Sequence, residues 1–337
     1  MGNNMPKLTI AIPNYNGGEN LKRSMESCKY IKIQKNDYEI LIVDNESTDN
    51  SIDIVNEMKK KFTNIRLIQN EKNVGRIQNW NISIEKARSK YLIFLFSNDL
   101  INEKNNIHEL IQNLDLDQTI SICISALLKK EKNTEYIKKS YFNEIVKCSS
   151  KKFISNCINR GLLPFGPIQS VIYRLDDITS NKNKFLEEFP INADEIFSFE
   201  EACKRKNIMF NPTPQITWDL TQGRFHGKMK VEDEFKEHSD TIEVIKNKLN
   251  LDVNYGLIST YRAINLLKFS TKNFQQKNGK KEAMTHLLSK IKEHSSFFRT
   301  DKILIKTLFD KLKNSDKDAD DILYKIIIAR CISESDN

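Results

Sequence analysis

YLIFLFSNDL, residues 91–100, is the most informative stretch of this 337-residue chain. It begins with six consecutive apolar or aromatic residues and stops abruptly at Ser97-Asn98-Asp99. A short, unbroken apolar run of this kind is typical of a strand buried on both faces, as in a parallel sheet. Open α/β sheets bind their ligands at the carboxyl ends of the strands. The stretch therefore predicts a central strand that delivers Asp99 to a ligand site.

Upstream of this strand, short apolar runs alternate with segments in which apolar residues recur at helical spacing. The runs are 8–13 (LTIAIP), 38–43 (YEILIV) and 65–68 (IRLI), and the helical segments are 20–28, 51–62 and 78–88. Strands that alternate with helices predict a parallel sheet with right-handed crossover connections. Polar residues follow most of these strands, so we expect a binding site along one edge of the sheet.

Downstream the pattern is less regular. It predicts helices at 104–116 and 192–205, strands at 120–128 and 208–210, and a Gly-Pro turn followed by a strand within 163–174. Residues 129–160 are polar and fit no element, 217–228 resemble a loop, and only Lys-rich helical patterns follow residue 231. The chain is therefore expected to have an α-helical C-terminal extension.

The composition fits a soluble globular protein, with 39% hydrophobic and 29% charged residues. No run of eighteen apolar residues occurs, so no transmembrane helix is expected, and the first ten residues lack the apolar core of a signal peptide. The six cysteines are scattered without metal-binding spacing, which favours reduced, buried thiols. The net charge of +8 is compatible with nucleic acid, anionic lipid or phosphorylated ligands.

Two common phosphate-binding loops are absent from the sequence. The first strand is followed by PNYNGGEN, which differs from the GxGxxG of dinucleotide-binding folds, and no GxxxxGK[ST] loop occurs. A strand-end site of this kind needs another way to neutralise phosphates, and a divalent metal held by a carboxylate is the usual one.

Four stretches, in this order and spacing, resemble family 2 glycosyltransferases of the GT-A type, specifically bacterial surface-polysaccharide, capsule and O-antigen enzymes. They are 9–16 (TIAIPNYN), 41–51 (LIVDNESTDNS), 70–81 (NEKNVGRIQNWN) and 90–100 (KYLIFLFSNDL). They cover about the first third of the chain, and 166–174 (GPIQSVIYR), 193–197 (ADEIF) and 223–226 (GRFH) fit more loosely.

The resemblance implies an α/β GT-A nucleotide-diphospho-sugar transferase fold, a Rossmann-like, mostly parallel sheet flanked by helices. The expected domains are 1–229, with a nucleotide-binding half (1–100) and an acceptor half (101–229), followed by a helical region (230–337). The implied activity is inverting transfer of a sugar from a nucleotide-diphosphate sugar to a hydroxyl of a glycan or lipid-linked acceptor. We expect a cytoplasmic enzyme, with peripheral contact of its basic C-terminal helices at the inner membrane face and no nucleic acid partner. The oligomeric state is left open.

The resemblance also assigns the donor site. Its nucleotide-sugar-binding residues would be Pro13, Asn14, Tyr15, Asp44, Asn45, Arg76, Asn79, Asn98 and Arg224. Tyr15 offers an aromatic face to the nucleobase, and Asp44 can accept a hydrogen bond from a base N–H. The alternative interpretations are ordinary ones: a turn at Tyr15, a helix cap at Asp44 and a solvated side chain at Arg76 or Arg224.

Mg²⁺ or Mn²⁺ would be held by Asp99 and by His226, which resembles the downstream histidine of the family. The family motif is usually Asp-x-Asp or ends in Asp-Asp, whereas this chain has Phe96-Ser97-Asn98-Asp99. One carboxylate can hold Mg²⁺ when phosphates and water complete the octahedron. Otherwise Asp99 caps the next helix and His226 is a lone loop histidine.

Transfer to a hydroxyl also needs a general base. Asp194 matches the family's acid at the start of a helix and is the predicted base, with Glu195 as the close alternative. The competing interpretation is a carboxylate that interacts with the helix dipole. Two other functions remain open: a non-catalytic nucleotide-sugar-binding or scaffold member of the fold, and a sugar-phosphate nucleotidyltransferase. The second expects a basic, glycine-rich first loop, which this chain lacks.

Overall fold

The computed structural model describes residues 5–131, 134–138, 143–159, 162–221 and 231–251. The described residues fall into two compact units, unit 1 (1–147 and 165–225) and unit 2 (148–164 and 226–337). The predicted division at residue 229 stays a prediction, and the assignment of 148–164 to unit 2 has no counterpart in it.

The first half of unit 1 consists of alternating strands and helices. The strands are β1 (Leu8–Asn14), β2 (Tyr38–Asp44), β3 (Ile65–Gln69) and β4 (Tyr91–Phe94), and the helices are α1 (Gly18–Ser27), α2 (Ser51–Lys61) and α3 (Arg76–Lys86). Every residue of β1, β2 and β4 is buried, as their continuous apolar runs predict. Gly75 precedes α3 with a φ of +84°, a conformation that favours glycine.

Shorter elements follow, and all of them lie in unit 1 except the end of β9. In order they are β5 (Leu100–Ile101), α4 (Ile107–Leu116), β6 (Ile120–Ser125), β7 (Leu127–Glu131), β8 (Thr134–Lys138), β9 (Val146–Ser149), β10 (Val171–Arg174), α6 (Leu175–Asn181), α7 (Ala193–Ala202), β11 (Asn207–Asn211) and β12 (Ile216–Asp219). Unit 2 contains α5 (Ser150–Asn159) and α8 (Val231–Lys248), and β9 begins in unit 1 and ends in unit 2.

The strands of the main sheet that lie wholly in unit 1 run in the order β3-β2-β1-β4-β10-β6-β11. β1, β2, β3 and β4 pair in parallel, and β10 pairs antiparallel with both β4 and β6. A mostly parallel, helix-flanked α/β sheet is therefore confirmed. The carboxyl ends of β1, β2 and β4 lie side by side, because Asn14 is in register with Asp44 and Ala11 with Phe94.

A second sheet, in the order β5-β12-β7-β8, was not predicted. Residues 120–128 form β6 and the start of β7 rather than one strand. The predicted loop at 217–228 is wrong at its start, where β12 continues to Asp219. β12 places Asp219 next to the turn that follows β4, so this small sheet contributes to the site.

No helix among the described residues is both long and apolar enough to cross a bilayer. Five of the six cysteines lie within these residues and all five are free thiols. Burial raises the pKa of Cys28 and of Cys123 to about 12, which keeps both thiols protonated. For these five cysteines, the interpretation as free thiols is confirmed.

Glu201 is a buried carboxyl group in α7 that should make stability fall as pH rises. Its side chain is 1% exposed and accepts a hydrogen bond of 2.8 Å from Asn183 Nδ2. Burial raises the pKa of Glu201 to about 7, and the Asn183 bond only partly offsets this. In the unfolded chain this pKa is near the ordinary value, so the stabilisation is complete below about pH 4.5 and is lost as pH rises through about 7.

Glu201→Gln should therefore reduce the loss of stability between pH 5 and 8 by roughly 3 kcal/mol. The measurement is the free energy of unfolding in guanidinium chloride at several pH values, for wild type and variant. Equal pH slopes for the two proteins would show that Glu201 does not titrate in this range.

Candidate functional site

The ends of β1 and β2 are joined by a hydrogen-bond cluster around Asp44. Asn14 Nδ2 donates to Asp44 Oδ1 at 2.8 Å, and Ser47 donates to the two carboxylate oxygens from its Oγ (2.6 Å) and its backbone N–H (2.9 Å). Asp44 is 1% exposed. A carboxylate accepts about four hydrogen bonds, so Asp44 has little capacity left for a ligand, and its main role in the structure is to shape the loop after β2.

Two of the predicted donor residues next to this cluster differ in accessibility. Tyr15 is 53% exposed, whereas Pro13 is buried in β1. The tyrosine ring follows directly after the strand end, where a nucleobase could contact it. Of the residues predicted to pack on the base, Tyr15 is therefore the accessible one.

Asn45 and Asn79 connect β2 to the loop at 70–75 and to α3. Asn45 Oδ1 accepts from Asn70 Nδ2 at 3.0 Å and from Val74 N at 2.9 Å. Asn79 Nδ2 donates to Val43 O at 3.0 Å, and its Oδ1 accepts from Asn70 at 2.9 Å. Both amides are 3% exposed and are used within the protein. Their contact with a ligand stays a prediction.

Arg76 begins α3 and is only partly exposed. Its guanidinium group donates to Pro190 O and lies 4.8 Å from the centroid of the Trp80 ring. The Trp80 ring stacks on Phe96, with 5.3 Å between centroids. Phe96, which stands where the family motif usually has an acidic residue, is therefore an aromatic packing residue here, and Arg76 is held by contacts within the protein.

The turn after β4 contacts the end of β12. Asn98 Nδ2 donates to Asp219 O at 3.1 Å, and Asp99 Oδ1 accepts from Asp219 N at 3.2 Å. Asp99 Oδ2 accepts from Gln169 Nε2 at 2.9 Å. Asp99 is fully buried, and desolvation holds its pKa well above the usual range. Asp99 thus joins three segments that are distant in sequence.

Asp99 and Asp219, the two carboxylates at this turn, are both used within the protein. Asp99 is buried with both oxygens hydrogen-bonded, and Asp219 pairs with Arg23 at 3.3 Å and accepts from Thr221. Among residues 5–131, 134–138, 143–159, 162–221 and 231–251, no three His, Cys, Asp or Glu side chains are placed to hold a metal. His226, the other predicted metal ligand, lies outside the described residues, as does the predicted donor residue Arg224, so metal binding by Asp99 stays a prediction.

The structure separates the two candidates for the general base. Asp194 and Glu195 lie in the first turn of α7. Glu195 is 6% exposed, and its carboxylate accepts from Phe165 N at 2.9 Å and from Gly166 N at 2.6 Å. Asp194 is partly exposed and accepts from Glu195 N at 3.0 Å. Glu195 is therefore a buried anchor, Asp194 is the more exposed of the two carboxylates, and the role of Asp194 as base stays a prediction.

Gly166 lies directly against this acidic pair. A Cβ at this position would lie 2.8 Å from both Asp194 Oδ2 and Glu195 Oε1, which is closer than real Cβ contacts. Any other residue at position 166 would displace one carboxylate. The sequence indicated a Gly-Pro turn here but not its contact with Asp194.

Sequence reasoning missed three residues of this region: Arg23, Gln169 and Asp219. Gln169 lies within the quoted stretch 166–174, and Asp219 follows a tryptophan in a segment interpreted as loop. No motif signal distinguishes these side chains, because their contacts depend on how β10 and β12 pair.

Comparison with solved structures places the chain among proteins with this fold. The Staphylococcus aureus TarS fragment 1–349 in complex with UDP-GlcNAc superimposes with a TM-score of 0.62, covering 96% of this chain and 90% of that one at 19% identity. A mannosyltransferase from Pyrobaculum calidifontis, in complex with GDP-Man and Mn²⁺, gives a TM-score of 0.51 at 9% identity, covering 98% of this chain and 86% of that one. The fold is the GT-A nucleotide-diphospho-sugar transferase fold.

Sequence comparison defines the family. The profile of glycosyl transferase family 2 matches residues 9–172, and this part of the chain belongs to that family. A poly(ribitol-phosphate) beta-glucosyltransferase of Bacillus spizizenii is 27% identical over 203 residues, which are 60% of this chain and 30% of that protein. The beta-N-acetylglucosaminyltransferase TarP of S. aureus, also named for poly(ribitol-phosphate), is 33% identical over 101 residues, 30% of this chain and 31% of TarP. The alignments thus span about 30% of the length of these curated relatives.

Proposed function

We propose that the protein is an inverting glycosyltransferase that uses a UDP-sugar donor in bacterial surface polysaccharide synthesis. The observation that carries the proposal is the placement of Asp194, a partly exposed carboxylate next to a buried Glu195, in a chain whose residues 9–172 belong to glycosyl transferase family 2. The acceptor is a hydroxyl group of a glycan or lipid-linked glycan.

In the proposed reaction, the acceptor oxygen attacks the anomeric carbon of the donor sugar as the bond to the departing diphosphate breaks. Asp194 takes the proton of the acceptor hydroxyl, and the nucleotide diphosphate leaves with the electron pair of the broken bond. Attack from the face opposite the leaving group inverts the anomeric configuration. Tyr15 packs against the nucleobase, and Asn14, Asp44 and Asn45 shape the loops around it.

Two observations support an anionic polyol chain as the acceptor. The relatives named above act on poly(ribitol-phosphate), a polymer with a negative charge on every repeat. The chain itself has a net charge of +8, which favours encounter with a polyanion at low ionic strength.

Two further predictions from the sequence, the metal and the location, are also part of this proposal. A requirement for Mg²⁺ or Mn²⁺ stays a prediction, and no step of the reaction above depends on it. A cytoplasmic location with peripheral membrane contact through the Lys-rich C-terminal helices also stays a prediction, since most of those helices lie outside the described residues. The predicted acceptor half, 101–229, contains the proposed base.

A thermal-shift screen with nucleotide sugars, each with and without Mn²⁺, tests donor binding. UDP-GlcNAc or UDP-glucose at about one hundred times its Kd should stabilise the folded protein by roughly 2.7 kcal/mol, because only the folded state binds it. Stabilisation that needs Mn²⁺ would support the metal prediction. A protein that responds to no nucleotide sugar would instead fit the scaffold alternative.

A further inference from the structure

The segment Phe165–Ser170 connects the helix turn that carries the proposed base, Asp194, to Asp99 in the turn after β4. At its start, the N–H groups of Phe165 and Gly166 donate to the Glu195 carboxylate, which adjoins Asp194. Near its end, Gln169 Nε2 donates to Asp99 at 2.9 Å. Six residues thus join the proposed base to the turn after β4, and all of them lie in unit 1.

The segment is held in one conformation by its own contacts. The backbone N–H and the Oγ of Ser170 donate to Pro167 O at 3.0 and 2.8 Å. The Phe165 ring packs edge-to-face on Phe199 of α7, with 4.6 Å between centroids. Residues 168–170 form one turn of 3₁₀ helix that packs against both β4 and α7. Phe165 and Ile168 are fully buried, so the segment cannot shift without repacking the core.

We propose that the 165–170 segment sets the position of the base relative to the donor end of the site, with Glu195, Gly166 and Gln169 as positioning residues. The inference rests on the proposed function, because it assumes that Asp194 is the base. In an inverting displacement the base and the leaving group lie on opposite sides of the anomeric carbon. Rates depend steeply on that geometry, and a displacement of about 1 Å can cost about a hundredfold in rate.

Glu195 serves this role through charge and shape together. Each of its carboxylate oxygens accepts one backbone N–H, which an amide cannot reproduce, since glutamine presents an oxygen to one N–H and an NH₂ group to the other. The same two N–H groups belong to the peptide units that bring Gly166 against Asp194 Oδ2. Loss of the Glu195 hydrogen bonds therefore allows the backbone at Gly166, which packs against Asp194, to move.

The first test compares Glu195→Gln with Glu201→Gln, the same substitution of a buried glutamate in the same helix. With UDP-GlcNAc and poly(ribitol-phosphate), Glu195→Gln should lower kcat by at least about tenfold and leave the Kd for UDP, from calorimetry, within about twofold of wild type. Glu201→Gln should leave both unchanged. Amide hydrogen exchange at Phe165 and Gly166 should accelerate only in the Glu195 variant.

The second test asks whether Glu195 acts through Asp194. The double variant Asp194→Asn, Glu195→Gln should be no slower than Asp194→Asn alone. Once position 194 has no base, its displacement cannot lower the rate further. Gln169→Leu, which touches the far end of the segment, should also lower kcat with little change in the Kd for UDP. Gly166→Ala changes no hydrogen-bonding group, but its Cβ would lie 2.8 Å from Asp194 Oδ2 and from Glu195 Oε1, so it should lower kcat as Glu195→Gln does.

The outcomes separate this inference from the proposed function. If Asp194→Asn keeps wild-type turnover, the proposed base is wrong. If Asp194→Asn stops turnover but Glu195→Gln and Gly166→Ala keep wild-type kcat, the base is correct and the positioning role is overturned. A Gln169→Leu variant that changes only the Kd for UDP would also overturn the coupling along the segment.

Discussion

Asp194→Asn should lower turnover by roughly 10²–10⁴-fold while the protein still binds its donor, because an amide cannot take a proton from the acceptor hydroxyl. The substitution keeps the size of the side chain. The amide oxygen of asparagine can still accept the hydrogen bond that Glu195 N donates at 3.0 Å. The first turn of α7 and the buried Glu195 contacts should therefore be undisturbed. The loss should appear in kcat rather than in donor affinity.

The measurements are initial rates with UDP-GlcNAc and poly(ribitol-phosphate), and calorimetric titration with UDP. Glu200→Gln is the matched control, since it neutralises another partly exposed carboxylate of the same helix, outside its first turn. A variant that retains turnover, or that loses UDP binding together with turnover, would contradict the role of Asp194 as base.

The first half of unit 1 could be predicted from the sequence because its strands are buried on both faces. β1, β2 and β4 are continuous apolar runs that end in polar residues, and amphipathic helices separate them. The spacing of apolar residues therefore indicates the type and order of these elements, and the polar residues indicate where the strands end.

The small sheet could not be predicted in this way. β7 (LLKKE) and β8 (TEYIK) contain charged residues and are partly exposed, so neither shows an unbroken apolar run. β12 is only four residues long, and its pairing with β5 and β7 depends on tertiary contacts. β10 runs antiparallel to β4 and β6. The direction of a strand depends on the connection before it, and the local pattern of apolar residues does not indicate it.

The candidate site shows the same division. Sequence patterns placed Asn14, Asp44, Asp99 and Asp194 at element ends, but they could not show which side chains point into the protein. Asp44 and Asp99 proved to be buried and hydrogen-bonded to neighbouring segments, and only the structure distinguishes Asp194 from Glu195. A carboxylate that binds a ligand and one that anchors a loop have the same residue type, so the distinction requires the fold.

Arg174, the last residue of β10, illustrates a structural role that no motif reveals. Its Nε donates to Ile120 O at 2.7 Å, and its terminal nitrogens donate to Leu114 O, to Asp117 O at 3.2 Å and to Gln118 Oε1 at 3.2 Å. These acceptors include carbonyls at the C-terminal end of α4, which have no partners within the helix. The guanidinium group is 3% exposed, so water does not replace it.

Arg174→Met should therefore destabilise unit 1 by about 3 kcal/mol, because methionine fills much of the space but removes the charged donor that Ile120 O, Leu114 O and Asp117 O share. Arg174→Lys should be intermediate, since one ammonium group cannot reach the acceptors that the planar guanidinium spans. The measurement is guanidinium unfolding followed by fluorescence. Both tryptophans of the chain, Trp80 and Trp218, lie in unit 1, so the signal reports on that unit.

Arg205→Met is the control for the same substitution at a more exposed arginine. Arg205 pairs with both oxygens of Asp177, at 2.7 and 2.8 Å, but its side chain is 25% exposed. This pair is partly exposed, and fully exposed pairs contribute about 0–1 kcal/mol, so the loss should be smaller than at Arg174. Both arginines also donate to backbone carbonyls near the end of α4, so the comparison tests whether the more buried donor contributes more to stability. Equal losses would mean that water satisfies the carbonyls left by Arg174.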